Sequence, residues 1–453
     1  MLPPLPDVRL QRRFQSIVAA VSKSPERSFP QALPDSADLE AVYRFLSNER
    51  VDWQQLLEPE VVQTLQRLVD AGSGYAIHDT TNIMLTGESA RGDVGSLDGH
   101  GASFLAHFCL VVSMGPVPGP LGLLGIDALF RPDGPRRKQP DWKDIYHRDD
   151  KESLRWPRMV DRAESLVAGR ASLLHLMDSE GDDFALLSSL VAQARRFVVR
   201  VKQNRALTDE DAGNLSDALA AVEAIACRQV MLGARSKAAC RGRNTKHTPR
   251  APRPAKLQIR ARRVSVRRPA HVGSAGPKAV ELHVVHVQEI DVPDGLDAVD
   301  WKLYTTEPIE TPEQVIAVVD HYRTRWMIEE YFKALKTGCS LEKRQVESRR
   351  ALLNTLALYA PLACRLLALR HESRAEMVAT SLTARQIKVL RAMRPRRPLP
   401  EQPTARDLML AVAGLGGHIK HSGEPGWQVL GRGYLDLLAF EAGWIARENC
   451  DQS

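Results

Sequence analysis

The sequence predicts a mixed α/β fold with helical regions at both ends. Three observations carry that expectation. Residues 1–70 place apolar side chains at helical spacing, the middle of the chain alternates short apolar runs with amphipathic helices, and helical periodicity returns beyond Pro312. The chain has 453 residues, 43% hydrophobic and 26% charged, a globular composition that excludes disordered and fibrous classes.

Taken in order, Val8, Leu10, Phe14, Ile17, Val18 and Val21 form a first helical stripe that Ser24-Pro25 stops. Asp35 and Ser36 are N-cap candidates for a second helix through Leu39–Leu46. Glu58–Ala71 reads as a third, with Pro59 tolerated in its first turn. Gly74–Asp79 is then a short apolar run ending in an acid. From Phe104 to Ile126 there is no Asp, Glu, Lys or Arg, a stretch long enough to span a bilayer. Its middle, Gly115-Pro116-Val117-Pro118-Gly119-Pro120, cannot continue a helix, so two buried strands, Ser103–Ser113 and Leu121–Arg131, are expected and no membrane span. Asp150–Val167 reads as a helix, Leu173–Asp178 as a second apolar run ending in an acid, Gly181–Ala194 as a helix and Phe197–Arg200 as a strand. The region from about Val230 to Asp300 interrupts this order, with strands Leu257–Val266 and Glu281–Gln288 expected in a separate small β element. Pro312–Lys336 is a strong helix, and the Pro- and Arg-rich Arg394–Thr404 reads as a linker.

Six cysteines lie far apart with no C-x-x-C pair, which argues against a zinc module or disulfide scaffold and fits a reducing cytoplasm. No apolar signal segment opens the chain. The net charge is 62 − 55 = +7, but it is local. Between Arg235 and Arg268 there are 13 Lys or Arg and no acid, so the remainder is net −6. Such a run is either a solvated basic loop or a surface for a phosphate backbone, where each neutralised phosphate releases counterions.

In an α/β sheet, chemistry gathers beyond the carboxyl ends of strands. Asp79 and Asp178 each close an apolar run, although an Asp after a strand also serves as a turn or cap. Asp182 competes with Asp178, with the better claim to cap the following helix. At about 100° per residue, Tyr322, Arg325, Glu329, Lys333 and Lys336 fall in one polar stripe, opposite Ile328, Tyr331, Phe332 and Leu335. Ion pairs four apart, such as Arg325–Glu329, would explain that stripe on a solvated face as well.

The spacing Tyr322-x-x-Arg325-x-x-x-Glu329-x-x-x-x-x-x-Lys336 resembles the Y-R-E-K signature of DDE transposases of the insertion sequence 4 type. The surrounding HYRTRWMIEEYFKALKTGCSLEKRQ is similar to that family throughout, as are AIHDTT around Asp79, HLMDSEGD around Asp178 and FVVRVKQNR around Arg200. AVYRFLSNERV, PLGLLG, KESLRW, WKLYTTEPI and GWQVLGRGYLDL extend the resemblance over nearly the whole chain in order.

The resemblance implies an RNase H-like mixed-sheet core, residues 71–229 and 301–370, interrupted by a basic β insertion at 230–300. It implies a helical DNA-binding region at 1–70 and a helical dimerisation region at 371–453. Asp79, Asp178 and Glu329 would be the catalytic metal-binding triad for two Mg²⁺, with Mn²⁺ able to substitute. Hard cations favour such carboxylates, and two ions about 3.5–4 Å apart would clamp the attacking and leaving oxygens of a phosphodiester. Tyr322, Arg325, Lys333, Lys336, Arg200 and Lys202 would contact DNA, with Trp301 stacking on a base. The basic run adds Arg260, Arg262 and Arg263 as duplex contacts. The expected partners are double-stranded DNA, at terminal repeats and target, and a second copy in a synaptic dimer. The expected activity is metal-dependent cleavage at transposon ends followed by strand transfer. Relatives usually begin with an extra helix before the segment matching Leu5–Arg9, and almost nothing precedes it here, so the alternative is a non-catalytic end-binding copy.

Overall fold

The computed structural model describes residues 5–22, 29, 35–85, 93–97, 101–131, 151–208, 213–235, 248–273, 276–375, 380–393, 398–419 and 423–451. The described residues open with helices α1 Val8–Ser22, α2 Ser36–Ser47 and α3 Trp53–Ala71. Strands β1 Ser73–Met84, β2 Ser103–Ser113 and β3 Pro120–Leu129 follow, then α4 Arg155–Val167, β4 Ser172–Met177, α5 Phe184–Ala192 and β5 Arg196–Arg200. A short helix, α6 Leu215–Ala220, precedes β6 Ala226–Leu232, β7 Arg253–Arg267, β8 Ala279–Ile290 and β9 Asp300–Thr305. The elements that follow among the described residues are helices: α7 Pro312–Thr324, α8 Met327–Lys333, α9 Arg349–Arg374, α10 Ala384–Ala392, α11 Ala405–Leu415 and α12 Trp427–Asp451.

The predicted mixed α/β class with helical flanks is the class observed. Among the described residues the nine strands join one sheet in the order β3-β2-β1-β4-β5-β9-β8-β7-β6. β4 runs parallel to both β1 and β5, while β1–β2, β2–β3, β5–β9 and all pairs beyond are antiparallel. The uncharged stretch folds as expected: β2 is almost wholly buried, β3 is buried through its middle, and the two pair across the proline-rich turn. The inserted strands, expected as a separate element, instead extend the core sheet. β9 pairs β5 on one side and β8 on the other, so unbroken hydrogen bonding carries the ladder into the insertion.

Two helix starts differ from the sequence reading. α3 begins at Trp53, capped by the Asp52 side chain, so buried Pro59 lies inside the helix and not in its first turn. α5 begins at Phe184, and its cap is Asp183, which accepts from the amides of Ala185 and Leu186. Asp35 caps α2 as predicted. Asp150 and the Ser24-Pro25 stop signal lie outside the described residues.

α9 packs across α3, β3 and α11 and forms the central bar behind the sheet. Among the described residues it is the one helix long and apolar enough to cross a membrane, yet two thirds of its apolar stretch is buried in the core. Polar side chains secure it there. Asn354 donates to the carbonyls of Leu46 and Val51, and Arg365 reaches Gln63 on α3.

Candidate active site

The site is built on the point where a parallel ladder stops. β1 and β4 pair from Ser73↔Ser172 to His78↔Met177 and no further. The next residues are Asp79 and Asp178, so two carboxylates leave adjacent strands, spaced about 4.8 Å apart, at the same level. β4 ends there, whereas β1 continues to Met84 against β2, where Asp79 pairs with Phe108. Asp79 is therefore mid-strand and buried, not at a strand end as the apolar run suggested.

The backbone beyond each Asp is held. Asp178 Oδ1 accepts from the Glu180 amide at 2.9 Å, closing the short turn Ser179–Gly181. That turn sits so close to β4 that a Cβ on Gly181 would meet the Met177 Cβ at 2.9 Å, which requires glycine. Arg155 links the two segments: its Nε donates to Thr80 Oγ1 at 2.9 Å and its Nη2 to Glu180 Oε2 at 2.6 Å. Below the sheet, His78 Nε2 pairs with His175 Nδ1 at 2.9 Å, and His175 Nε2 meets Glu164 at the same distance. Burial, reinforced by His175 and His107, holds His78 well below the usual imidazole value, so it is neutral. These supports were missed in the sequence. Arg155 stands within the noticed KESLRW, but nothing in the spacing says that it bridges two distant strands.

Asp182, the competitor for the second carboxylate, is committed elsewhere. Its Oδ1 accepts from Arg205 Nε at 3.0 Å and Nη2 at 2.8 Å, and its Oδ2 from the amides of Lys202 and Gln203 at 2.8 and 2.9 Å. Both partners are almost completely buried. The expected cap role belongs to Asp183, so Asp182 is a tether for the loop after β5.

The signature segment is not one continuous helix. Between α7 and α8 the amides of Arg325, Trp326, Ile328 and Glu329 bond to the carbonyls three residues back, those of Tyr322, Arg323, Arg325 and Trp326. These tighter turns change the angular phase, so the predicted polar stripe splits. Tyr322 turns inward against Trp301, with ring centroids 5.5 Å apart and planes at 72°. Lys333 points outward and donates to Glu330 at 2.6 Å. A π turn, Ala334–Gly338, then brings Lys336 to the Asn82 carbonyl on β1 and within 3.6 Å of Glu342. Burial lowers the Lys336 pKa against the pull of Glu342. The apolar face follows the prediction: Ile328, Tyr331, Phe332 and Leu335 are all buried.

Arg325 joins the two parts. Its Nη1 donates to Asp79 Oδ2 at 2.7 Å, and its Nη2 lies 3.7 Å from Glu329 Oε1. Burial, with the charges of Asp178 and Glu329, pushes the Asp79 carboxyl up to about 7 despite Arg325 and the Thr80 amide. For Arg325, burial works against the charge, but Tyr322, Asp79, Glu329 and Asp178 together raise its pKa. The line continues outward: the Arg200 guanidinium lies 5.5 Å from the Trp301 ring centre and donates to the Asp300 carbonyl at 2.8 Å. Lys202, exposed two residues on, holds Asp182 through its amide.

The three insertion arginines are not brought to one surface. All lie on β7, but Arg260 and Arg262 share a face and Arg263, one residue on, takes the other. Arg260 spends its guanidinium on the Val222 carbonyl, Gln288 and Gln258. Arg262 donates to the Ala218 carbonyl, and Arg263 pairs with Glu281 on β8. Lys237, Arg241, Arg243 and Lys246 lie outside the described residues.

The donor chemistry fits a hard divalent cation. Asp79, Asp178 and Glu329 offer oxygen only, and Asp79 is raised first by burial and then by the neighbouring Asp178 and Glu329, against the pull of Arg325. Among the described residues no three Asp, Glu, His or Cys side chains already form a closed cage, so the carboxylates are gathered but not drawn together.

Two family models match parts of the chain. Residues 4–51 match the transposase DNA-binding family model. Residues 157–366 match the transposase DDE domain, a range that includes Asp178 and Glu329 and begins after Asp79. DDE domains of this kind are RNase H-like and depend on divalent metal, in accord with the mixed sheet and the carboxylates it carries.

Proposed function

We propose that this chain, a transposase by its DNA-binding and DDE domains, is a cut-and-paste enzyme of the insertion sequence 4 type. In this reading Asp79, Asp178 and Glu329 hold two divalent ions, Mg²⁺ by preference, and Tyr322, Arg325, Glu329 and Lys336 form the Y-R-E-K signature. The observation that carries it is the common level of Asp79 and Asp178 at the end of the β1–β4 ladder, with Arg325 joining Asp79 to Glu329. The metal, when bound, would supply Lewis-acid stabilisation of the scissile phosphate.

The chain's own residues do the rest. The Arg155 bridge to Thr80 and Glu180 sets the spacing of the two aspartates. Arg325 and Lys336 offer cations beside the carboxylates, where an incoming phosphodiester adds further negative charge. Arg200, Lys202 and Lys333 widen the basic approach, and Trp301, between Arg200 and Tyr322, offers an aromatic face for a base. Arg263, exposed on β7, extends DNA contact onto the insertion, while Arg260 and Arg262 shape the strand that carries it.

The accompanying organisation is a DNA-binding region at 1–70, a core at 71–229 and 301–370 interrupted by the insertion at 230–300, and a dimerisation region at 371–453. Two copies would hold two transposon ends in a synaptic complex, working on DNA in the cytoplasm. The test is a cleavage and joining assay on the element's terminal repeats with Mg²⁺. Cleaved ends joined to target DNA are expected. Binding of the ends without any cleavage would identify a non-catalytic end binder, and cleavage without joining a nuclease.

A further inference from the structure

Arg325 stands where a site for cations would need a cation. Its guanidinium bonds to Asp79 at 2.7 Å, reaches Glu329 at 3.7 Å and is largely shielded from solvent, with the Tyr322 ring centre 5.8 Å away. Its two charged neighbours are two of the three carboxylates assigned to the metal. Together with the open arrangement of those carboxylates, this gives the residue a role beyond phosphate contact.

We infer that Arg325 is a place-holding cation: without DNA it neutralises Asp79 and Glu329 in competition with the divalent ion, and a DNA phosphate draws it away so that the metal can load. The inference rests on the metal-site reading above. The physical reason is that one carboxylate oxygen cannot give its best geometry to a guanidinium and to a metal at once. A phosphate in the groove gives Arg325 a bidentate partner of equal charge, so releasing it costs little. Metal affinity and DNA affinity are then linked, each raising the other by the same factor. The consequence is a guard against hydrolysis away from transposon ends, because the DNA-free protein is a poor metal binder.

The experiment measures Mn²⁺ binding to the full chain without DNA, by the loss of free-ion electron spin resonance signal. Arg325→Gln is expected to bind Mn²⁺ at least about fivefold tighter than wild type, the lower end of usual coupling factors. Arg325→Lys, which keeps the charge but loses the fork, should fall between them and carries the comparison if Arg325→Gln does not fold. Lys333→Gln removes a nearby cation that pairs with Glu330 and not with the carboxylate set, so it controls for general electrostatics. An Arg325→Gln affinity equal to or weaker than wild type overturns the place-holder. So does an equal gain in Lys333→Gln, which would assign the effect to diffuse charge. Asp79→Asn separates the two readings. If it binds Mn²⁺ as well as wild type, the metal-site assignment itself fails, whereas its loss of binding with no gain in Arg325→Gln removes only the place-holder.

Discussion

The two halves of the sheet handle charge in opposite ways. In the β1–β5 half, Asp79, Asp178 and Glu329 come from three separate elements to one region, and burial first, then the charges of Asp178 and Glu329, raise the Asp79 pKa. In the β6–β9 half, several described cations of a run that contains no acid along the chain find partners in space. Arg253 pairs with Glu289 and Arg263 with Glu281, both acids supplied by β8, while Arg260 takes neutral acceptors. The difference teaches that charge counted along a chain is not charge in space. Carboxylates from distant segments share one buried region, whereas cations dense along the chain take separate partners, two of them acids on the strand beside them.

The largest test of this contrast removes one member of the carboxylate set. Glu329→Gln keeps the shape and deletes the charge, and strand cleavage should fall by orders of magnitude while end binding persists. Cleavage in Mg²⁺ within about tenfold of wild type would remove Glu329 from the site, because losing a ligand for the stabilising ion costs more than that.

Next in size is a balanced charge within the same half. Asp182 and Arg205 are nearly fully buried, and Asp182 also holds two amides. Asp182→Ala takes the carboxylate from a buried guanidinium, which keeps only the residue 182 carbonyl, and should cost about 3–5 kcal/mol. Asp183→Ala, which removes only the α5 cap, should cost about 1 kcal/mol. Urea unfolding of the two variants reads the difference, and equal losses would mean that Asp182 is no tether.

Much of this architecture was legible in the sequence, for identifiable reasons. Strand pairs such as β2 and β3 announce themselves because an uncharged run broken by three prolines has few other solutions. The buried face of α8 followed from spacing alone, since Ile328, Tyr331, Phe332 and Leu335 keep a helical period. The inward turn of Tyr322 did not, because a few hydrogen bonds to the third residue back rotate everything before them and leave no mark in composition. Asp79 and Asp178 could be picked out as acids after apolar runs, but their common level depends on the register between β1 and β4, which no local pattern encodes. Asp182 was misread as a cap for the same reason: its partners stand some twenty residues away, at Lys202, Gln203 and Arg205.

A smaller effect tests whether the site charge is held at a cost. The Asp79 pKa rises from 3.8 to about 7 on folding, chiefly through burial and then Asp178. The folded state therefore holds this proton more tightly, and the stability it contributes is complete below pH about 4 and lost as pH rises through about 7. Asp79→Asn imitates the protonated form. With metal chelated, the variant should melt close to wild type at pH 4.5 and above it at pH 7.5. A wild type that is the more stable at pH 7.5 would show that Arg325 offsets both the burial of Asp79 and the repulsion from its neighbours, and would erase the contrast between the halves.

The smallest expected effect lies in the insertion. Were Arg260, Arg262 and Arg263 all phosphate contacts, neutralising them together would flatten the plot of log K against log[salt] by up to about 0.9 for each. Their partners argue for less. Arg260 is bound to Val222, Gln258 and Gln288, and Arg262 to the Ala218 carbonyl, so moving either guanidinium to DNA breaks bonds that hold α6 and β8 to β7. Arg263 alone is well exposed, and its pair with Glu281 is equally open to solvent, so a phosphate can replace it at little cost. The triple glutamine variant should therefore change the slope by no more than about one contact's worth, 0.9, and Arg263→Gln alone should reproduce that change. Arg260→Gln should leave the slope intact and lower the urea midpoint, because its lost acceptors belong to the fold. A triple variant that loses two or three contacts' worth of slope would show that these arginines abandon their internal partners for DNA, and that the insertion is as much a working surface as the carboxylate end.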